Sequence, residues 1–209
     1  MVVGEGNKGK TSLLLNLTKK GRIVRFKEIE MSYSHVPLAT VGVDLGDWEY
    51  APRNKNKVTF MTWDFGGQEE YYATHQCFLT KRSLYILVWD IQDGEAGVKS
   101  LKLWLENIEG CAPKSPVIIV GTHLDTVPQS KRVEVEQQLR ARIQELYVDY
   151  SLSKYRYPKI QEIFFGNCHD SRHMDRLRDY IYNFVSIYKP PGEMISDLIG
   201  GGVQFPIYS

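Results

Sequence analysis

Gly4-Glu5-Gly6-Asn7-Lys8-Gly9-Lys10-Thr11 is the stretch that decides how this chain folds. It fits the spacing G-x-x-x-x-G-K-[ST], in which a glycine-rich turn wraps its backbone around a phosphate. Gly4 and Gly9 let the chain turn tightly, so that successive N–H groups point inward as a nest of partial positive charge. Lys10 adds a full charge that reaches β- and γ-phosphates, and the Thr11 hydroxyl is a ligand for the accompanying Mg²⁺. Met1-Val2-Val3 reads as the end of a buried strand before the loop. Ser12 to Leu17 reads as an apolar helix after it, running to Gly21, and its N-terminus adds unpaired N–H donors and a dipole. Strand, glycine loop, helix is the order this site requires. The nucleotide-binding set expected from it is Gly4, Gly6, Asn7, Lys8, Gly9, Lys10, Thr11 and Ser12.

Outward from the loop, the chain alternates strands and helices. Asp44 to Tyr50 alternates in hydrophobicity as an edge strand does, Pro52 to Lys57 is a polar turn, and Val58 to Trp63 is its hairpin partner. Ser83 to Trp89 and Pro116 to Val120 are near-continuous apolar runs, the mark of parallel strands covered on both faces. Ile160 to Phe165 is a weaker last strand. Helical stripes fall between them: Val98, Leu101, Leu103, Trp104, Leu105 and Ile108; then Val135, Leu139, Ile143 and Leu146; then Leu177, Ile181, Phe184, Val185 and Tyr188 before Pro190-Pro191. The expected architecture is α/β, a six-stranded mostly parallel sheet with one antiparallel edge strand and helices on both faces. Ligands of such sheets sit beyond the carboxyl ends of the strands, where each motif falls.

Asp64-Phe65-Gly66-Gly67-Gln68 follows the strand ending at Trp63. Asp64 there can hold Mg²⁺ through water opposite Thr11, and Gly67 lets the backbone approach a γ-phosphate. Gln68 has the character to orient an attacking water. Read alone, the same stretch also suits a turn with a capping Asp. Gly121-Thr122-His123-Leu124-Asp125 follows the strand ending at Val120. A carboxylate at Asp125 accepts from guanine N1–H and its exocyclic amine, a donor pair that adenine lacks; the alternative is a helix cap. Thr40, before the second strand, completes the metal shell in this reading, and the chain ahead of it orders with nucleotide and metal. Arg22, Arg25 and Lys27 read as a solvated face. Asn167-Cys168-His169 follows the last strand, where the backbone N–H of Cys168 meets the base carbonyl. Tyr71, Tyr72 and Phe78 suit either a partner surface or a core-facing helix.

Composition narrows the class. With 43% apolar and 24% charged residues the chain is an ordinary globular one. Lys+Arg number 26 against 25 Asp+Glu, so no strong field draws it to nucleic acid or anionic lipid. Three cysteines without metal-like spacing suit a reducing compartment, and no signal peptide, spanning segment or lipidation motif is read. The expectation is a cytoplasmic protein with no direct membrane anchor. The three residues before Gly4 and the extended-looking tail after Gly200-Gly201-Gly202 give the expectation of a module cut from a longer polypeptide.

Together, Gly4 to Thr11, Thr40, Asp64 to Gln68 and Thr122 to Asp125 resemble the ordered motifs of Ras-like small GTPases. Ala39 to Asp44 with Asp47-Trp48, Trp63 to His75 and Val120 to Asp125 resemble in particular the Roc domain (Ras of complex proteins) of Roco proteins, with a leucine-rich-repeat kinase favoured. The resemblance implies a Ras-like P-loop GTPase fold over residues 1–189, with 190–209 as the start of a linker towards a COR domain. It implies GTP and GDP as ligands with Mg²⁺ held by Thr11, Thr40 and Asp64. It also implies slow GTP hydrolysis served by Gln68, Lys10 and Thr40, and a switch acting on neighbouring COR and kinase domains or in a homodimer. Gly67, Thr122, His123, Asp125 and Cys168 complete the implied nucleotide site. His123 stands where most small GTPases carry lysine; it lacks that stem and fixed charge, so a modest nucleotide affinity is expected. Gly6 leaves room beside the γ-phosphate and Gln68. An interaction module with negligible turnover is the competing function, and an ATP-using enzyme conflicts with Asp125.

Overall fold

Tyr85 to Trp89 and Val117 to Val120 leave neither face of a strand for water, and they form the centre of the sheet. The structure, a computed structural model, describes residues 1–18, 43–53, 55–66, 76–149 and 157–188. Among the described residues there are six strands: β1 (Val2–Val3), β2 (Val43–Tyr50), β3 (Val58–Phe65), β4 (Tyr85–Asp90), β5 (Val117–Thr122) and β6 (Ile160–Phe165). Their order across the sheet is β2-β3-β1-β4-β5-β6. The pair β2–β3 is antiparallel with Leu45 opposite Trp63, and every other pair is parallel. This is the Ras-like arrangement, with β2 as the antiparallel edge.

Alternation along each central strand splits the core in two. Leu87 and Trp89 of β4 and Ile119 of β5 face helix α2 (Gly94–Cys111), which brings Val98, Leu101, Leu105 and Ile108. Helix α3 (Arg132–Ile143) closes that side with Ile143. On the opposite face Ile86, Val88, Ile118 and Val120 meet Leu13 and Leu17 of α1 (Lys10–Thr18) and Met174, Leu177 and Ile181 of α4 (Ser171–Ile187). Each such fully buried aliphatic side chain contributes about 1.5–3 kcal/mol. Arg178, itself buried, joins α4 to α1 by donating to the last carbonyls of α1, from Nε to Leu17 at 2.8 Å and from Nη2 to Asn16. These are carbonyls that a helix end leaves without partners.

Polarity misleads on element ends. β3 continues past Trp63 through Asp64 and Phe65, because Asp64 pairs in register with Asp44. β5 likewise continues past Val120 to Thr122, which pairs with Asp90. Leu103 does not belong to the buried stripe of α2; it is 48% exposed. After Ile143, α3 loosens into a π-turn at Gln144–Val148 that buries Tyr147, whose hydroxyl donates to the Val98 carbonyl at 2.9 Å.

Candidate functional site

All five parallel strands end at one edge of the sheet, and the loops that follow them build the site. β1 lies between β3 and β4, so its loop enters where the chain direction of the sheet's connections diverges. Gly4 has φ +140, and a Cβ there would lie 2.2 Å from the Val88 carbonyl oxygen, so no other residue fits. Asn7 (φ 59) and Gly9 (φ 84) are also left-handed, the alternation that turns backbone N–H groups to one side. The Leu13 N–H donates to Gly9 O at 2.8 Å and starts α1. Lys8 is tied by Nζ to Asp93 Oδ2 at 2.6 Å, which fixes the loop's outer side to the start of α2 and raises the Lys8 pKa.

Lys10 is the charged centre of the loop. It is buried, its Nζ donates to the Glu5 carbonyl at 2.6 Å, and so it lies folded across the turn. Burial pushes its ammonium down to about 8, with Asp64 and Glu5 opposing the shift. Beside it Thr11 Oγ1 donates to Asp64 Oδ2 at 2.6 Å. Asp64 is buried within β3 and so caps no helix. A hydroxyl and a carboxylate at the floor of a phosphate-shaped turn are hard oxygen donors, which fit Mg²⁺.

The loops after β5 and β6 form the other half. Thr122 Oγ1 lies 3.0 Å from both the Lys8 and the Trp89 carbonyls, binding the β5 loop to the phosphate loop. His123 is left-handed (φ 60), and its Nδ1 meets Asp90 Oδ2 at 2.9 Å. Asp125 is exposed in the turn Leu124–Thr126, and α3 begins only at Arg132, so Asp125 does not cap it. The two loops interlock: Gly166 N–H donates to Gly121 O at 2.9 Å, and Leu124 N–H to Gly166 O at 3.3 Å. Cys168 is buried there; desolvation first, then the nearby Asp125 carboxylate, push its thiol up to about 12. The interlocked loops bring Asp125 and Cys168 to one locus.

Residues 1–125, which contain every one of these motifs but the last, match the family described as "Ras of Complex, Roc, domain of DAPkinase". The chain belongs to the Roc family. This Roc chain is 31% identical over 210 residues to the probable serine/threonine-protein kinase pats1 of Dictyostelium discoideum, covering 93% of the chain and 6% of that protein. It is 32% identical over 200 residues to leucine-rich repeat serine/threonine-protein kinase 1 of Mus musculus, covering 93% of the chain and 10% of the relative. The Roc chain thus spans about a tenth or less of these relatives' length. A solved structure, Methanosarcina barkeri Roco2 RocCORdC bound to GDP, superposes with TM-score 0.60 at 28% identity, covering 90% of the chain and 49% of that one.

Of the residues that the sequence singles out, Gly4, Lys10, Thr11, Asp64, Thr122, His123, Asp125 and Cys168 come together at this edge of the Roc sheet. Thr40, Gly67, Gln68, Tyr71 and Tyr72 lie outside the described residues. Phe78 is described: it is 38% exposed and packs 6.0 Å from the Trp63 ring. Sequence reasoning missed Asp90 and Asp93, which hold His123 and Lys8. For Asp90 a signal was available, an acid closing the otherwise apolar run of β4. Among the described residues no helix is long and apolar enough to cross a membrane.

Proposed function

We propose that this Roc chain binds GTP and GDP with Mg²⁺, hydrolyses GTP slowly and acts as a regulatory switch within a larger multidomain protein. The observation that carries the reading is the Thr122 hydroxyl 3.0 Å from the Lys8 carbonyl. It fixes the phosphate loop against the loop that presents Asp125, so that a single nucleotide spans both. The Asp125 carboxylate selects guanine by accepting from N1–H and the exocyclic amine, with the Cys168 N–H as donor to the base carbonyl. The backbone of Gly4 to Ser12 and the Lys10 ammonium take the phosphates.

Mg²⁺ would be held by Thr11, Thr40 and Asp64, and when bound it would neutralise phosphate charge. Gln68 orients the water for in-line attack. Lys10 offsets the charge that develops on the transferred phosphoryl oxygens. The Gly67 N–H reports the γ-phosphate, and its loss on hydrolysis releases that segment to neighbouring domains. Residues 1–189 make up the GTPase unit in this reading, with 190–209 leading towards COR and kinase domains of the parent chain.

Single-turnover hydrolysis tests it. Wild-type chain is expected to convert bound GTP to GDP, and Gln68→Leu to do so about tenfold or more slowly while binding GTP equally well. Equal turnover in the two removes Gln68 from the mechanism.

A further inference from the structure

His173, in the first turn of α4, reaches back under the loop that follows β6. The backbone N–H of Asn167 donates to His173 Nδ1 at 3.1 Å. An amide can only donate, so Nδ1 carries no proton and the ring is neutral with its hydrogen on Nε2. The same ring supports the residue before: a Cβ built on Gly166 would lie 3.3 Å from His173 Cβ and 3.6 Å from Nδ1. Gly166 is the residue whose N–H and carbonyl bond to Gly121 and Leu124 on either side of the β5 loop. Asn167 in turn accepts from His169 N–H at 2.7 Å through its side chain, which leaves Cys168 clamped between two held residues. One imidazole therefore underlies the junction of both loops that face the base.

We infer that His173 is the positioning residue of the base site: its unprotonated Nδ1 holds the Gly166–Cys168 turn at the height where the Cys168 N–H and the Asp125 carboxylate meet one guanine. The inference rests on the guanine reading of Asp125. Asp170, whose carboxylate lies low because Arg172 bonds to it and His173 stands near, belongs to the α4 cap, and Arg176 lies one turn on. From the neighbouring loops come Asp125, beside Cys168, and His169. The other elements packed there present apolar side chains: Leu13 from α1, Val120 from β5 and Phe164 from β6.

The test measures GDP and ADP binding to the full chain and to His173→Asn and His173→Ala. Titrations run at about pH 8, where an imidazole is ordinarily neutral. A wild-type chain that takes ADP as readily as GDP overturns the guanine reading and the inference with it. With GDP preferred, His173→Ala is expected to bind it about five- to tenfold more weakly at pH about 8, the usual worth of a lost hydrogen bond. His173→Asn places an acceptor near Nδ1 that acid does not protonate. It is expected to bind within about twofold of wild type. His173→Ala equal to wild type, or His173→Asn as weak as His173→Ala, overturns the role of His173 and leaves the guanine reading standing. Should His173→Ala not fold, His173→Phe, which fills the space without offering an acceptor, takes its place and is expected to show the same loss.

Discussion

Thr11 and Asp64, 53 residues apart in sequence, share a 2.6 Å hydrogen bond at the floor of the phosphate loop. The carboxylate is buried in β3, so it holds the hydroxyl where a strand, not a loop, fixes its place. Asp64→Asn keeps the shape but removes the charge. It is expected to weaken Mg²⁺ about 10–100-fold, the usual cost of losing a residue that orients a metal ligand. Nucleotide affinity measured with Mg²⁺ and with a chelator checks this: the gap between the two narrows in the variant, and an unchanged gap removes Asp64 from the metal site.

Gly4 and Gly9 separate two kinds of glycine requirement. At Gly4 a methyl group meets the Val88 carbonyl oxygen at 2.2 Å, whereas at Gly9 the nearest atom is Thr122 Cγ2 at 3.6 Å and only the φ of +84 is unfavourable. Gly4→Ala is expected to cost about 2–5 kcal/mol and Gly9→Ala about 1–2 kcal/mol. Urea unfolding of both variants ranks them; the reverse order contradicts the packing described.

The fold was legible because its signals are local. Apolar runs long enough to be covered twice named β4 and β5, and the glycine loop fixed the strand-to-helix order around β1. Strand ends were not legible, since Asp64 and Thr122 are polar residues retained in register by backbone pairing. Within the site, Gly4, Lys10, Thr11, Asp64 and Asp125 were readable from spacing. The contacts of Asp93 with Lys8 and of Asp90 with His123 were not, because each joins segments that meet only once the strands lie side by side.

Lys10 carries a pH signature. Burial lowers its pKa from 10.5 to about 8 in the folded chain, so its charged form is disfavoured there relative to the unfolded state. The penalty is full below pH about 8 and is relieved as pH rises towards 10.5, so this group adds stability with rising pH across that window. A bound phosphate restores the charge. Nucleotide binding at pH about 8.5 is therefore expected to take up a large fraction of a proton, and near pH 7 only about a tenth of one at this site. Calorimetry in buffers of different ionisation enthalpy reads the uptake directly; its absence at the higher pH contradicts the burial of Lys10.

Arg178 is a structural charge with no place in the nucleotide site. It satisfies the carbonyls of Asn16 and Leu17 and pairs with Asp175. Arg178→Met keeps much of the volume but strands those groups, and a loss of about 2–4 kcal/mol is expected in urea unfolding. Stability within about 0.5 kcal/mol of wild type, the range of ordinary surface changes, contradicts the clamp.

In the proposed function one guanine nucleotide spans the phosphate loop and Asp125. Displacement of a bound fluorescent GDP by GTP, ATP and xanthosine triphosphate, on wild type and Asp125→Asn, tests it most directly. GTP is expected to compete at concentrations at least about a hundredfold lower than ATP on wild type. In the variant, preference moves to xanthosine, whose carbonyl meets the amide that replaces the carboxylate. ATP displacing as well as GTP, or an Asp125→Asn chain that still favours guanine, contradicts the account.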